Sequence, residues 1–189
     1  MRVLDLYSGI GSATITFREH GHEVITVDID RETNPTYCLD LRVSDCSRMI
    51  LRDFGKVDFA WASPPCEEYS QFRHPQIEHP DLTLWFRAIR IMNNLRPTYW
   101  IIENVSGAIR FWGRPPYHYG AWYLWGYYPP FIAPTANRIN KTDANANPRD
   151  PKKRAMIPRV LAEAIHTSIC QAISESKPAI LEAVSGEAT

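Results

Sequence analysis

Arg2-Val3-Leu4-Asp5-Leu6-Tyr7-Ser8-Gly9-Ile10-Gly11-Ser12 is the stretch on which the reading of the fold turns. Arg2 to Tyr7 reads as a strand, Ser8 to Ser12 as a Gly-rich turn, and Ala13 to His20 as a helix. Strand, glycine turn and helix together form a nucleotide-binding arrangement, because glycines let the backbone approach a ligand closely. The pattern is Gly-x-Gly and not the longer Gly-x-Gly-x-x-Gly, so an ordinary tight turn reads equally well from these residues alone.

Working outward, Gly21 closes the helix, and Glu23 to Asp28 is a second strand ending in an acid. An acid at that point, about twenty residues past the glycines, accepts hydrogen bonds from ribose hydroxyls; the alternative is a cap or turn aspartate. Tyr37-Cys38-Leu39 is a short third strand, followed by Asp40-Leu41. That pair suits an adenine, with the carboxylate on the exocyclic amine and the leucine on the ring face. Ser47 to Phe54 reads as a helix. Val57 to Ala62 is a buried strand that stops at Ser63-Pro64-Pro65, since proline cannot donate to a ladder. Cys66 follows. A thiol just past the C-terminal end of a central strand sits where open α/β sheets bind ligands; the other reading is a small buried hydrophobe.

Residues 67–80 are polar and aromatic without a clean period, and directly after a candidate nucleophile they read as a lid. Leu84, Trp85, Ala88, Ile89, Met92 and Leu95 recur at helical spacing and predict a helix from Leu82 to Leu95. Thr98 to Val105 is a fifth strand that delivers Glu103 at its C-terminal end. There the glutamate is either a cap for a neighbouring helix or an acid of raised pKa facing Cys66.

The chain has 189 residues, 44% hydrophobic and 22% charged, with a formal net charge of +0, which describes one globular domain with no global field for a polyanion. Any nucleic-acid surface is therefore a local patch. The four cysteines, Cys38, Cys46, Cys66 and Cys170, show no Cys-x-x-Cys spacing and read as reduced thiols of a cytoplasmic protein. No apolar stretch is long enough for a bilayer, so no membrane association is expected. Phe111 to Phe131 is crowded with aromatics, prolines and glycines; some of these rings read as core, Trp122, Leu124 and Trp125 suit a strand, and other rings suit stacking on bases. Arg138, Lys141, Arg149, Lys152, Lys153 and Arg154 then stand against only Asp143 and Asp150, as a solvated loop or as phosphate contacts. Four regions are expected: a core over 1–110, a small aromatic and basic lobe over 111–153, a C-terminal helix over 154–175, and a flexible tail over 176–189.

Asp5-Leu6-Tyr7-Ser8-Gly9-Ile10-Gly11, Asp28, Asp40-Leu41, Pro64-Pro65-Cys66 and Glu103-Asn104-Val105 together resemble the DNA (cytosine-5)-methyltransferases, in that family's order and over most of residues 2–109. The resemblance implies a Rossmann-like α/β fold, with a mostly parallel sheet flanked by helices, and S-adenosylmethionine as cofactor. It implies that Tyr7, Ser8, Gly9, Ile10, Gly11, Asp28, Ile29, Asp40, Leu41 and Leu84 line the cofactor. Cys66 and Glu103 would be catalytic, and Pro65, Ser70, Asn104 and Arg138 would bind the substrate. DNA is the expected partner, with RNA as the second substrate class and a non-catalytic subunit as the competing reading. Two departures stand out. Glu67 replaces the family's Gln after the cysteine, and only residues 106–153 stand where the family carries a large target-recognition insert. This implies a compact form, a partner protein supplying target recognition, or a relaxed recognition sequence with steep salt dependence.

Overall fold

The computed structural model describes residues 1–69, 81–134 and 156–185. In chain order the elements are β1 (Arg2–Leu6), α1 (Ile15–Glu19), β2 (Glu23–Asp28), β3 (Tyr37–Cys38), α2 (Ser47–Asp53), β4 (Phe59–Ala62), α3 (Thr83–Leu95), β5 (Tyr99–Asn104), α4 (Ile109–Trp112), β6 (Tyr117–Tyr119), β7 (Trp122–Tyr127) and α5 (Arg159–Ser185). The sheet order is β3-β2-β1-β4-β5-β7-β6. β1 to β5 pair in parallel, and β7 runs antiparallel to both β5 and β6. This is a Rossmann-like, mostly parallel sheet whose order reverses between β1 and β4, the point where such sheets bind ligands.

The alternation of side chains along each strand builds two cores. Leu4, Leu6, Ala60, Ala62 and Ile102 face α2 and α3, while Val3, Phe59, Trp61 and Ile101 face α1 and α5. On β4 the small alanines lie under the broad apolar stripe of α3, and the large rings lie under Phe17 and Leu161. Each fully buried side chain of that size contributes roughly 1.5–3 kcal/mol.

Two expected regions differ in the structure. In Phe111 to Pro134, the described part of the expected lobe, two segments are built into the sheet: β6 and β7 form a hairpin with Tyr119 opposite Trp122, and Leu124 is fully buried. The aromatics there cover the β5 edge and extend the core, because an exposed edge of β5 would leave its backbone groups unpaired. The final helix starts at Arg159 and continues to Ser185, well into the expected flexible tail. Among the described residues no helix is long and apolar enough to cross a membrane.

Candidate active site

Two turns at the C-terminal edge of the sheet flank the switch point. The first follows β1. Tyr7, Gly9 and Gly11 all adopt positive φ (58, 50 and 74°), a region that glycine enters freely and tyrosine rarely. Tyr7 is held there because its phenol donates to the Leu84 carbonyl at 2.8 Å and its ring packs on the α3-side core. Burial pushes that phenol's pKa up, so it stays a donor. A Cβ placed on Gly9 or Gly11 would meet nothing within 4 Å, so the turn faces open space. Gly9 N–H donates to Asp28 Oδ2 at 2.7 Å, and Asp30 N–H donates to Asp28 Oδ1 at 2.8 Å. The Asp28 carboxylate thus joins the first turn to the end of β2 and keeps further lone pairs on both oxygens.

Ile10 and Ile29, each next to a partner in the Gly9–Asp28 bond, are 50% and 61% exposed and form the open apolar surface of this edge. Leu41 does not join them. It is 2% exposed and packs in the α3-side core. Asp40 is half-buried, and its Oδ1 accepts from Arg42 N–H at 2.8 Å, which shapes the turn after β3. Ser8 N–H reaches Val27 O at 3.3 Å and continues the β1–β2 ladder into the turn.

The second turn follows β4. Ser63 N–H donates to Leu6 O at 3.1 Å, Pro64 is buried, Pro65 is exposed, and Cys66 is half-buried. A 3-10 turn over Glu67–Tyr69 folds back, with Tyr69 N–H on Cys66 O at 3.1 Å. Tyr69 is 4% exposed and packs edge-on against Trp85 and Phe111. β5 backs this turn directly. Asn104 Nδ2 donates to Pro64 O at 3.0 Å, and Asn104 Oδ1 accepts from Val105 N–H at 2.9 Å. At 1% exposure Asn104 is a brace between the strands. Ala62 pairs with Ile102, so Glu103, 6% exposed, lies near the C-terminal end of β5 beside the strand that leads to Cys66.

Three further residues position these turns through contacts that only the structure shows. Gly107 is the first: a Cβ there would stand 1.8 Å from Tyr69 O, so only glycine lets the Cys66 turn dock on the segment after β5. Asp5 is the second, 1% exposed and accepting from Thr14 Oγ1 at 2.6 Å, which ties β1 to the start of α1. Burial pushes the Asp5 carboxyl up to about 7, the Thr14 hydrogen bond opposes this, and the charge of Asp28 adds to it. Ser12 is the third, its Oγ accepting from Ile157 N–H at 2.9 Å and fastening the chain before α5 to the glycine turn. The expected substrate contacts Ser70 and Arg138, and the basic residues Lys152, Lys153 and Arg154, lie outside the described residues.

Residues 1–111 match the protein family described as C-5 cytosine-specific DNA methylase. Among individual relatives, a type II methyltransferase of Herpetosiphon aurantiacus (M.HgiCI) is 29% identical over 117 residues, covering 57% of this chain and 28% of the relative. A probable DNA (cytosine-5)-methyltransferase of Frog virus 3 is 30% identical over 148 residues, covering 67% of this chain and 66% of the relative. A mouse tRNA (cytosine(38)-C(5))-methyltransferase is 30% identical over 120 residues, covering 57% of this chain and 29% of the relative. The match thus spans under a third of the bacterial and mouse proteins. The chain belongs to the C-5 cytosine-specific DNA methylase family.

Proposed function

We propose that this member of the family methylates cytosine at C5 in DNA, with Cys66 as covalent nucleophile and Glu103 as the acid. One observation carries the reading: the buried hydrogen bond from Asn104 Nδ2 to Pro64 O, which braces the turn that bears Cys66 against the strand that bears Glu103. The first turn fits S-adenosylmethionine. Asp28 would take the ribose hydroxyls on its remaining lone pairs, Ile10 and Ile29 would cover the adenine, and the open Gly9–Gly11 backbone would let the ligand approach. When bound, S-adenosylmethionine supplies a methyl group on a sulfonium, an electrophile.

Cytosine C5 is by itself too weak a nucleophile to take that group. The Cys66 thiolate adds to C6, and the electron pair of the C5–C6 double bond is pushed toward the ring. Glu103 holds a proton at N3 and stabilises the charge that develops there, leaving an enamine with a nucleophilic C5. After C5 has gained the methyl group, a base takes the C5 proton, the double bond re-forms and Cys66 leaves as thiolate. In a duplex the base must first leave the stack.

The mouse relative's name favours one second reading, the same chemistry on RNA cytosine, since nothing among the described residues selects deoxyribose. The test is transfer of labelled methyl from S-adenosylmethionine to DNA and to tRNA, with DNA carrying 5-fluorocytosine as a trap. Fluorine blocks the final elimination, so a stable adduct on the Cys66 peptide is expected with DNA. Label in tRNA alone moves the substrate to RNA, and an adduct on any other cysteine overturns the nucleophile.

A further inference from the structure

The opposite edge of the sheet carries a second chemical cluster, about 20 Å from the turns by the length of β2. His22 precedes β2, in the connection from α1, and meets α5 there. His166 and Cys170 are four apart on α5 and share one helix face. Cys170 Sγ lies 3.5 Å from His22 Nε2 and 3.3 Å from His166 Nε2. All three ligand atoms lie within 4.8 Å of one another, and all three residues are half-buried.

Zinc is bound by thiolate at about 2.3 Å and by imidazole nitrogen at about 2.0–2.1 Å, and a tetrahedral angle then sets sulfur and nitrogen about 3.5 Å apart. The two sulfur–nitrogen distances match such a site, the two nitrogens lie within 4.8 Å of one another, and two imidazoles with one thiolate are a donor set that suits zinc. The His20 ring lies 4.3 Å from that of His166, tilted by 30°, and its Nδ1–H donates to Thr16 O at 2.8 Å, which fixes that ring beside the cluster. The alternative is a thiol and imidazoles that only hydrogen-bond, with His166 edge-on to Phe17 at 4.9 Å. Such a cluster has no response to a metal.

We propose that His22, His166 and Cys170 form a zinc site with an open fourth position, which clips α5 to the connection between α1 and β2. The thiol gives up its proton on binding, so one proton is released per zinc. Because only the folded chain brings these residues together, zinc would stabilise the fold by linkage. The site lies away from Cys66 and Glu103 and does not depend on the proposed methyl transfer.

The experiment uses the reduced, chelator-treated full chain with Co²⁺ or Zn²⁺ as the only added ligand. One cobalt per chain is expected, with a thiolate-to-cobalt charge-transfer band and the intense visible bands of a four-coordinate ion, both abolished by zinc. Zinc should slow alkylation of Cys170 about tenfold or more, while exposed Cys38 stays reactive. Cys170→Ala and His22→Ala should each weaken binding by about tenfold or more. Cobalt binding without a thiolate band, or with a band that survives Cys170→Ala, overturns the site. So does alkylation of Cys170 that is unchanged by zinc in the wild-type chain, a measurement that decides the matter even if the variants do not fold.

Discussion

The turn after β1 and the turn after β4 stand side by side at the same edge of the sheet, yet they are held in opposite ways. The first combines three positive-φ residues in a row of five with one carboxylate reaching in from β2 and the Tyr7 phenol on the Leu84 carbonyl. It has open space beyond it, as a surface for a ligand needs. The second has ordinary backbone and is held from behind: Asn104 takes the Pro64 carbonyl, and Gly107 lies flat against Tyr69. The first turn takes its shape largely from local conformation, with a few distant contacts that fix it. A reactive group that must meet a second group from another strand needs contacts across the fold.

The comparison breaks first at Cys66. Cys66→Ser is expected to reduce methyl transfer to background, because a hydroxyl is a far weaker nucleophile than a thiolate. S-adenosylhomocysteine affinity, read by calorimetry, should stay near wild type, since the first turn is untouched; retained transfer would remove Cys66 from the chemistry.

Gly107→Ala comes next. The new methyl must displace Tyr69 and with it the Cys66 turn, and a misplacement of about 1 Å at a reacting group costs on the order of a hundredfold in kcat. The cofactor analogue should again bind normally. Weakened analogue binding with full turnover would show that the second turn supports the first and not the chemistry.

Asp28→Ala attacks the other turn. It removes the acceptor of two backbone N–H groups and the proposed ribose contact, so S-adenosylhomocysteine binding is expected to weaken by about tenfold or more. Unchanged calorimetry would place the ribose elsewhere.

The smallest effect concerns Asp5, beneath the first turn. Its carboxyl is held near 7 in the folded chain against about 4 when unfolded, so the folded state binds the proton more tightly. That contribution to stability is fully present below about pH 4 and is lost as pH rises through about 7. Thermal melts across this range should therefore show a decline in the wild type that Asp5→Asn flattens. An identical pH profile in the variant would mean that Asp5 titrates normally.

The strands that carry Asp28, Cys66 and Glu103 were legible in the sequence, because apolar runs ending at Gly, Pro or an acid mark both a strand and its C-terminal end. The family resemblance over Asp5 to Gly11, Pro64-Pro65-Cys66 and Glu103-Asn104-Val105 was legible for the same reason, being carried by short contiguous segments. After residue 111 a strand at Trp122 to Trp125 was legible, but its partner β6 and its pairing with β5 were not, since the surrounding rings and prolines resemble a loop until β5 offers an edge to pair with.

The sequence by itself determined which residues end the strands, and therefore which edge holds the candidate chemistry, because local propensity and hydrophobic period act over a few residues. Only the tertiary structure decided that Leu41 is core and Asn104 a brace, that Gly107 must be glycine, and that His22 lies against His166 and Cys170. Those outcomes depend on side chains meeting across the packed sheet and helices, and distances between segments far apart in the chain are set by the packing of the whole and not by any one stretch.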